Sequence, residues 1–245
     1  GCRVSVLVCA SDDSEMTTPS VSIVIPTLDE QDSLPAVLAS CHPPKDVEII
    51  VVDGGSTDGT CELARQSGVT LVASERGRGK QMNAGASMAK GETLLFLHGD
   101  TVLPRGYHTQ LLKVLESQGV VAGAFQLSIR GKLLSLRAIE KVVNLRSRFL
   151  QMPFGDQAFF MRRSIFEQVG GFREIAIMED FDLIRALRKR GHIGIAEGAV
   201  LTSGRRWERL GPWMTTFMNQ VAILAYLVGI SPVNIAKFYF RKGKD

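Results

Sequence analysis

The stretch that most constrains this chain is Glu92–Thr101. Leu94, Leu95, Phe96 and Leu97 are consecutive apolar residues that run straight into His98-Gly-Asp100. A strand covered on both faces reads as such an unbroken run, the pattern of a central strand in a parallel sheet. Asp100 falls where that strand ends. In open α/β sheets, ligands bind outside the carboxyl edge of the strands. A carboxylate there is suited to hold Mg2+ or Mn2+ against a diphosphate. Taken alone, Asp100-Thr101 reads more readily as the start of a turn ahead of Pro104.

Upstream, strand-like and helix-like segments alternate. Val21–Pro26 reads as a first strand. Asp32 and Ser33 stand where they would cap a helix that has Pro35 in its first turn and runs to about Cys41. Val47–Asp53 is a second strand of the buried type, Thr60–Ser67 a helix, and Val69–Ala73 a third strand. The glycine-rich loop Ser74–Gly79 leads into a helix over Lys80–Ala89, and a further helix covers Arg105–Ser117. Strands alternating with helices of this length build βαβ units and a parallel sheet. The fold class expected is therefore α/β, a Rossmann-like, mostly parallel sheet flanked by helices.

Beyond Val120 the pattern changes. Val120–Ile129 and Gln157–Met161 read as strands and Arg163–Val169 as a short helix. Phe181–Arg190 reads as a helix with Phe181, Ile184 and Leu187 on one side, and His192–Ala196 and Val200–Ser203 as two short strands. Lys132–Leu150 is basic and amphipathic: Leu133, Leu136, Ile139, Val143 and Leu150 can share a face, while Arg137, Lys141, Arg146 and Arg148 supply charge. Trp213–Gly229 is apolar but interrupted by Asn219 and Gln220. Its clean run, Val221–Ile230, is about half a membrane span, so no transmembrane helix is expected. Three parts follow: a loose N-terminal extension over residues 1–20, one domain over 21–207, and a C-terminal helical extension over 208–245.

The chain has 245 residues, 45% of them hydrophobic, which is ample for one large core. A net charge of +4 and a pI near 9.0 suit anionic ligands or an anionic membrane surface. No basic stripe is interleaved with aromatics, so nucleic acid is not an expected partner. Cys2, Cys9, Cys41 and Cys61 have no metal-ligand spacing and fit a reduced, cytoplasmic setting. The apolar run Val4–Ala10 is marginal for a signal peptide and has no basic flank beyond Arg3; Met16 reads as the natural start.

Polar clusters fall at successive strand ends. Pro26-Thr-Leu-Asp-Glu30 follows the first strand and Asp53-Gly-Gly-Ser-Thr-Asp58-Gly-Thr60 the second. Arg76-Gly-Arg-Gly-Lys80-Gln-Met-Asn83 follows the third and His98-Gly-Asp100 the fourth. On one edge of one sheet they make a crevice in which carboxylates accept from a ribose or base, and basic groups near a helix start hold phosphates. In this order and spacing, with Glu179-Asp180 and Arg206-Trp207 further on, they resemble the family 2 glycosyltransferases, which have the GT-A fold. The match covers roughly Val21 to Trp207. His98-Gly-Asp100, Gly155-Asp-Gln157 and Ser203-Gly-Arg-Arg-Trp207 are most similar to a bacterial subfamily associated with radical-SAM and selenodomain proteins or arsenosugar biosynthesis.

The resemblance implies roles residue by residue. Pro26, Thr27, Asp29 or Glu30, and Asp53 would line the nucleoside pocket, with Asp53 on the base of a uridine nucleotide. Arg76, Lys80 and Asn83 would approach base or diphosphate. His98, Gly99 and Asp100 take the place of the family's Asp-x-Asp, so Asp100 carries over as the contact to Mg2+ or Mn2+. His98 is a departure: a neutral imidazole donates a hydrogen bond but adds no negative charge for a cation. Glu179-Asp180 would supply the catalytic base, its second member. Arg206, or its neighbour Arg205, would bind the leaving diphosphate. Asp156, Gln157 and Trp207 would lie on the acceptor side. Ser203 stands where the family's processive synthases have Gln, which argues against processivity.

The implied activity is an inverting transfer of a sugar from a nucleotide diphosphate sugar to a small-molecule, lipid or glycan hydroxyl. Two other classes fit an α/β crevice. A nucleotidyltransferase usually carries a Gly-rich basic loop after its first strand, where this chain has Pro26-Thr-Leu-Asp-Glu30. A non-catalytic nucleotide-sugar-binding or membrane-assembly protein would not need Asp100 and Asp180. The basic amphipathic segment, with Lys237, Arg241, Lys242 and Lys244 after the apolar C-terminal stretch, suits contact with anionic lipid at the inner face of a membrane. Core packing or a homodimer contact explains the same apolar residues at least as well.

Overall fold

The computed structural model describes residues 19–41 and 46–241. The apolar run Val4–Ala10, Met16, Cys2, Cys9, Lys242 and Lys244 lie outside the described residues.

An eight-stranded sheet runs through the molecule in the order β3-β2-β1-β4-β7-β6-β8-β5. Strands β1 (Val21–Thr27), β2 (Val47–Asp53), β3 (Thr70–Ala73) and β4 (Thr93–Phe96) form a parallel block. Strand β7 (Phe159–Arg162) then pairs antiparallel with both β4 and β6 (Val120–Ile129). Strand β8 (His192–Thr202) runs parallel to β6, and the two-residue β5 (Thr101–Val102) pairs antiparallel with its end. The sheet is thus parallel from β3 to β4 and mixed beyond β4.

Both faces are covered, which is why Ile49–Val52 of β2 and Leu94–Leu97, most of it in β4, read as unbroken apolar runs. Along β1, Ile23 and Ile25 enter one core with helices α1 (Leu34–Ser40), α2 (Thr60–Gln66) and α4 (Tyr107–Leu115). Val24 enters the other, with α3 (Arg78–Met88), α6 (Arg163–Gln168) and α7 (Glu179–Arg188). Helix α3 lies directly on the sheet, because a Cβ on Gly85 would collide with Val24 and Val52. That contact sets the height of the basic loop ahead of α3 above the strand ends.

Several local readings change. Ser33 does not cap α1; its hydroxyl turns back to the carboxylate of Glu30. Residues Gly155–Gln157 form a 3-10 turn, and β7 begins only at Phe159. The two short strands expected over His192–Ser203 are one strand: Ala124 pairs with Ile195 but Gln126 with Ala199, so β8 bulges around Glu197-Gly198, where the sequence pattern breaks. Helix α5 (Leu134–Leu150) buries Leu136 and Ile139, but Leu133 and Leu150 remain 50% and 58% exposed.

The C-terminal segment forms α8 (Arg205–Leu210), α9 (Pro212–Leu227) and α10 (Pro232–Arg241). Ala222 and Ile235 pack on Met178 and Phe181 at the start of α7, and the Tyr226 hydroxyl donates to Asp182. No described helix is long and apolar enough to cross a membrane.

Candidate active site

The crevice begins with two loops knitted together at the ends of β1 and β2. The Thr57 N–H donates to Asp29 Oδ1 at 2.8 Å, and the Asp29 N–H donates to Ser56 Oγ at 2.9 Å. Asp29 holds this place in a left-handed conformation, φ 54°. Asp53 shapes the turn after β2 by accepting the N–H groups of Gly55 at 2.9 Å and Ser56 at 3.1 Å. A carboxylate has about four lone-pair sites, so capacity is left for a base N–H. Thr27 is buried and its carbonyl accepts from Gln81 Nε2 at 2.8 Å, while Pro26 is half-buried before it. Thr27 therefore supports the crevice floor through its backbone. Gln81, which also reaches the Val52 carbonyl, is a positioning residue that sequence reasoning passed over.

The basic loop separates its residues. Arg76 and Lys80 border an open cleft of about 150 Å3, and Lys80 pairs with Glu75 of its own loop. Asn83 is engaged elsewhere in this structure. Its amide donates to the Phe172 carbonyl at 2.8 Å and accepts the Phe172 N–H at 2.9 Å, so both ends are used in holding that segment. The residue that enters the crevice is Arg78, whose Nη1 lies 3.3 Å from Glu179 Oε1. It stood within the Arg76-Gly-Arg-Gly-Lys80 cluster; its place at the start of α3, aimed back at the strand ends, distinguishes it.

His98-Gly-Asp100 forms the tip between β4 and β5. His98 is half-buried, and desolvation together with the nearby Arg78 charge pulls its imidazole down to a pKa of about 3. It is a neutral hydrogen-bonding group near pH 7. Gly99 is closely packed: a Cβ there would stand 3.2 Å from both Glu30 and Thr27 and would make those side chains shift. Arg205 Nη2 lies 2.7 Å from Glu30 Oε2 and 3.5 Å from Asp100 Oδ2, and the Ser203 hydroxyl accepts from Arg205 Nε at 3.1 Å. Glu30 is thus paired with an arginine in this structure. Among the described residues no three His, Cys, Asp or Glu side chains gather as a metal cage. Mg2+ is commonly held by one or two carboxylates with phosphate oxygens and waters completing the shell. The half-exposed Asp100 fits that arrangement and not a protein-only site.

Opposite this tip stands the start of α7. Asp180 Oδ2 accepts the Gly155 N–H at 2.8 Å, and its Oδ1 accepts the Phe181 N–H at 2.7 Å. Glu179 is buried; burial pushes its carboxyl up, while the Arg78 guanidinium opposes that shift. Arg78, His98, Gly155 and Asp180 surround a void of about 10 Å3, room for one water. Beside them Asp156 Oδ1 and the Nε and Nη2 of Arg146 are buried with no hydrogen-bond partner. Burial pushes the Asp156 carboxyl up to about 6, with the Arg146 charge opposing. The Arg146 guanidinium stacks 3.7 Å above the Phe154 ring. Orphaned buried polar groups each cost about 1–3 kcal/mol, so three together mark a place built for a polar ligand or ordered water.

Three further residues expected at the site have packing or hydrogen-bonding partners within the fold. Gln157 is fully buried and spends its amide on the Phe125 carbonyl at 2.9 Å and the Ser147 hydroxyl at 2.7 Å. Trp207 packs with Leu127, Ile129, Leu136 and Ile139 as an anchor of α8. Arg206 stacks on Tyr239 of α10, 4.1 Å above the ring, and the arginine at Asp100 is its neighbour Arg205.

Comparison with known proteins places this geometry. The model of Glycosyl transferase family 2 matches residues 22–170, more than half of the 245. Glycosyltransferase AglE of Haloferax volcanii is 36% identical over 95 residues, covering 34% of this chain and 31% of the relative. A PGL/p-HBAD biosynthesis glycosyltransferase of Mycobacterium tuberculosis is 39% identical over 97 residues, 36% of this chain and 38% of the relative. The chain therefore spans only about a third of these relatives' length. Among solved structures, the mannosyltransferase PcManGT of Pyrobaculum calidifontis, in complex with GDP-Man and Mn2+, superposes with a TM-score of 0.64 at 22% identity, over 93% of this chain and 70% of that one. Glucosyl-3-phosphoglycerate synthase of Mycobacterium tuberculosis, with Mn2+, UDP and phosphoglyceric acid, gives 0.62 at 22% identity, over 86% and 79%. At such identities the likeness is one of fold, the GT-A architecture. With the family model running from the first strand through the strand that pairs with β4, the chain belongs to glycosyl transferase family 2.

Proposed function

We propose that this protein moves a sugar from a nucleotide diphosphate sugar, UDP-linked, to an acceptor hydroxyl, with inversion at the anomeric carbon. The observation that carries the reading is that His98 of the His98-Gly-Asp100 tip and Asp180 at the start of α7 line one crevice, with Gly155 packed between them and bonded to Asp180. Structures of similar fold hold UDP-GlcNAc in TarS of S. aureus and GDP-Man with Mn2+ in PcManGT, which supports a nucleotide-sugar donor.

In this reading Asp53 accepts from the uracil ring, and Arg205 binds the diphosphate as it leaves. Asp100 holds Mg2+ or Mn2+, which when bound neutralises developing negative charge on that diphosphate. The acceptor hydroxyl sits beside Asp156 and Arg146. Asp180 takes the hydroxyl proton as the oxygen bonds to the anomeric carbon and the bond to the diphosphate breaks. Residues 21–207 form the transferase domain and the segment from residue 208 its C-terminal extension, working in the cytoplasm. The His98-Gly-Asp100 and Gly155-Asp-Gln157 motifs favour the radical-SAM and selenodomain-associated subfamily.

A thermal-shift panel of UDP- and GDP-sugars with and without Mn2+ tests the donor, and release of nucleotide from the best binder tests turnover. A manganese-dependent shift with UDP-sugars is expected. A binder that released pyrophosphate instead of nucleoside diphosphate would turn the reading toward nucleotidyl transfer.

A further inference from the structure

Among the described residues, seventeen large apolar side chains are exposed, and all but Met88 lie on α5 with its N-cap or on α9, α10 and the turn between them. On α5 the exposed set Leu134, Val142, Leu145 and Phe149 follows helical spacing, with Leu134 86% and Phe149 72% exposed. Trp213 and Phe217 stand four residues apart on α9, 68% and 64% exposed. Helix α5 packs against α9, so these stripes belong to adjoining helices. Contiguous exposed apolar surface on this scale marks a protein or membrane contact.

Charge selects between those occupants. Residues 211–241 contain no Asp or Glu. Residues 132–150 contain one, Glu140, which is buried and held by Arg137 at 3.1 Å. Lys132, Lys141, Arg148 and Lys237 are exposed on the same helices or beside them. A second copy docked here would bring like charges together with no exposed carboxylate on α5, α9 or α10 to answer them. An anionic lipid surface answers the cations and accepts the apolar side chains, and Trp and Phe are favoured at such interfaces.

We propose that α5 together with α9–α10 forms a face that docks peripherally on an anionic bilayer. This goes beyond the transfer reading and stands independently of it. Tyr239 of α10 interacts electrostatically with Arg78 and Asp180, so the docked surface adjoins the crevice.

The test is co-sedimentation of the full chain with phosphatidylcholine vesicles, with and without phosphatidylglycerol, at low and high salt. Binding only with phosphatidylglycerol, weakened by salt, is expected. Phe149→Ser with Phe217→Ser should weaken it at least tenfold, and Lys141→Gln and Arg148→Gln about fivefold each. Vesicle binding supports docking whether or not a nucleotide sugar is turned over, so the two readings fail separately. Absence of binding to phosphatidylglycerol vesicles at low salt overturns the proposal. So does a dimer in sedimentation velocity that the double serine variant dissolves while vesicle binding is unchanged.

Discussion

The backbone N–H of Gly155 donates to the Asp180 carboxylate at 2.8 Å, joining the turn ahead of β7 to the first turn of α7. Two segments twenty-five residues apart are thereby held at hydrogen-bond distance, and both face His98. The base proposed for the reaction is oriented by this bond.

A methyl group at Gly155 would stand 3.0 Å from His98 Nε2 and 3.2 Å from Asp180 Oδ2. Gly155→Ala should cost about 1–3 kcal/mol of stability by overpacking. Turnover should fall further than that loss explains, because Asp180 is displaced. Urea melts alongside nucleotide-release rates check both; a fully active Gly155→Ala enzyme would show that the close approach has no catalytic part.

Asp180→Asn keeps the size of the side chain and removes its capacity to take a proton at neutral pH. Turnover should drop by on the order of 10²- to 10⁴-fold with donor and Mn2+ binding nearly intact. Asp100→Asn should weaken manganese-dependent donor binding as well as rate. Titration of each variant with nucleotide sugar and Mn2+, then single-turnover transfer, separates the roles. Loss of donor binding in Asp180→Asn with normal turnover of the bound fraction would move the base to Asp156 or Glu179.

Arg205 and Arg206 should also divide. Arg205→Ala frees Glu30 and Asp100 and should weaken nucleoside diphosphate binding at least tenfold, about 1.4 kcal/mol. Arg206→Ala removes the stack on Tyr239 and should lower the melting temperature while changing diphosphate affinity little. Calorimetric titration with UDP and Mn2+ decides; the reverse pattern would restore Arg206 as the diphosphate ligand.

Acid stability in metal-free buffer should carry two opposed contributions. His98 has its folded pKa depressed from 6.5 to about 3, so its contribution is full above 6.5 and lost as pH falls toward 3. Asp156 has its folded pKa raised from 3.8 to about 6, so its contribution is full below 3.8 and lost as pH rises through 6. His98→Gln should flatten the acid loss, and Asp156→Asn should steepen it between pH 6 and 3.8. Each slope is bounded by about 1.4 kcal/mol per pH unit for one proton. Melting temperatures across this range test the signs; parallel profiles for both variants would contradict them.

Sequence by itself determined where the buried strands run and where their polar tips fall. Ile49–Val52 and Leu94–Leu97 are uninterrupted apolar runs because each strand is covered on two faces, and that requirement is local to the run. The motifs at the tips, and through them the family, were legible for the same reason. Tertiary structure alone decided which polar group meets which. Asn83 and Gln157 look like ligand amides along the chain, yet each serves a backbone segment, Asn83 one eighty-nine residues away and Gln157 one thirty-two residues away. Arg205 and Arg206 are adjacent in sequence but about 100° apart around α8, so one reaches Asp100 and the other Tyr239. Arg78 and Arg146 carry no signature that separates them from other basic residues. Their meaning comes from Glu179 and Asp156, brought near by the packing of α3, α5 and α7 around the sheet. Periodicity records which face of an element is buried; it does not record the partner that the rest of the fold delivers to that face.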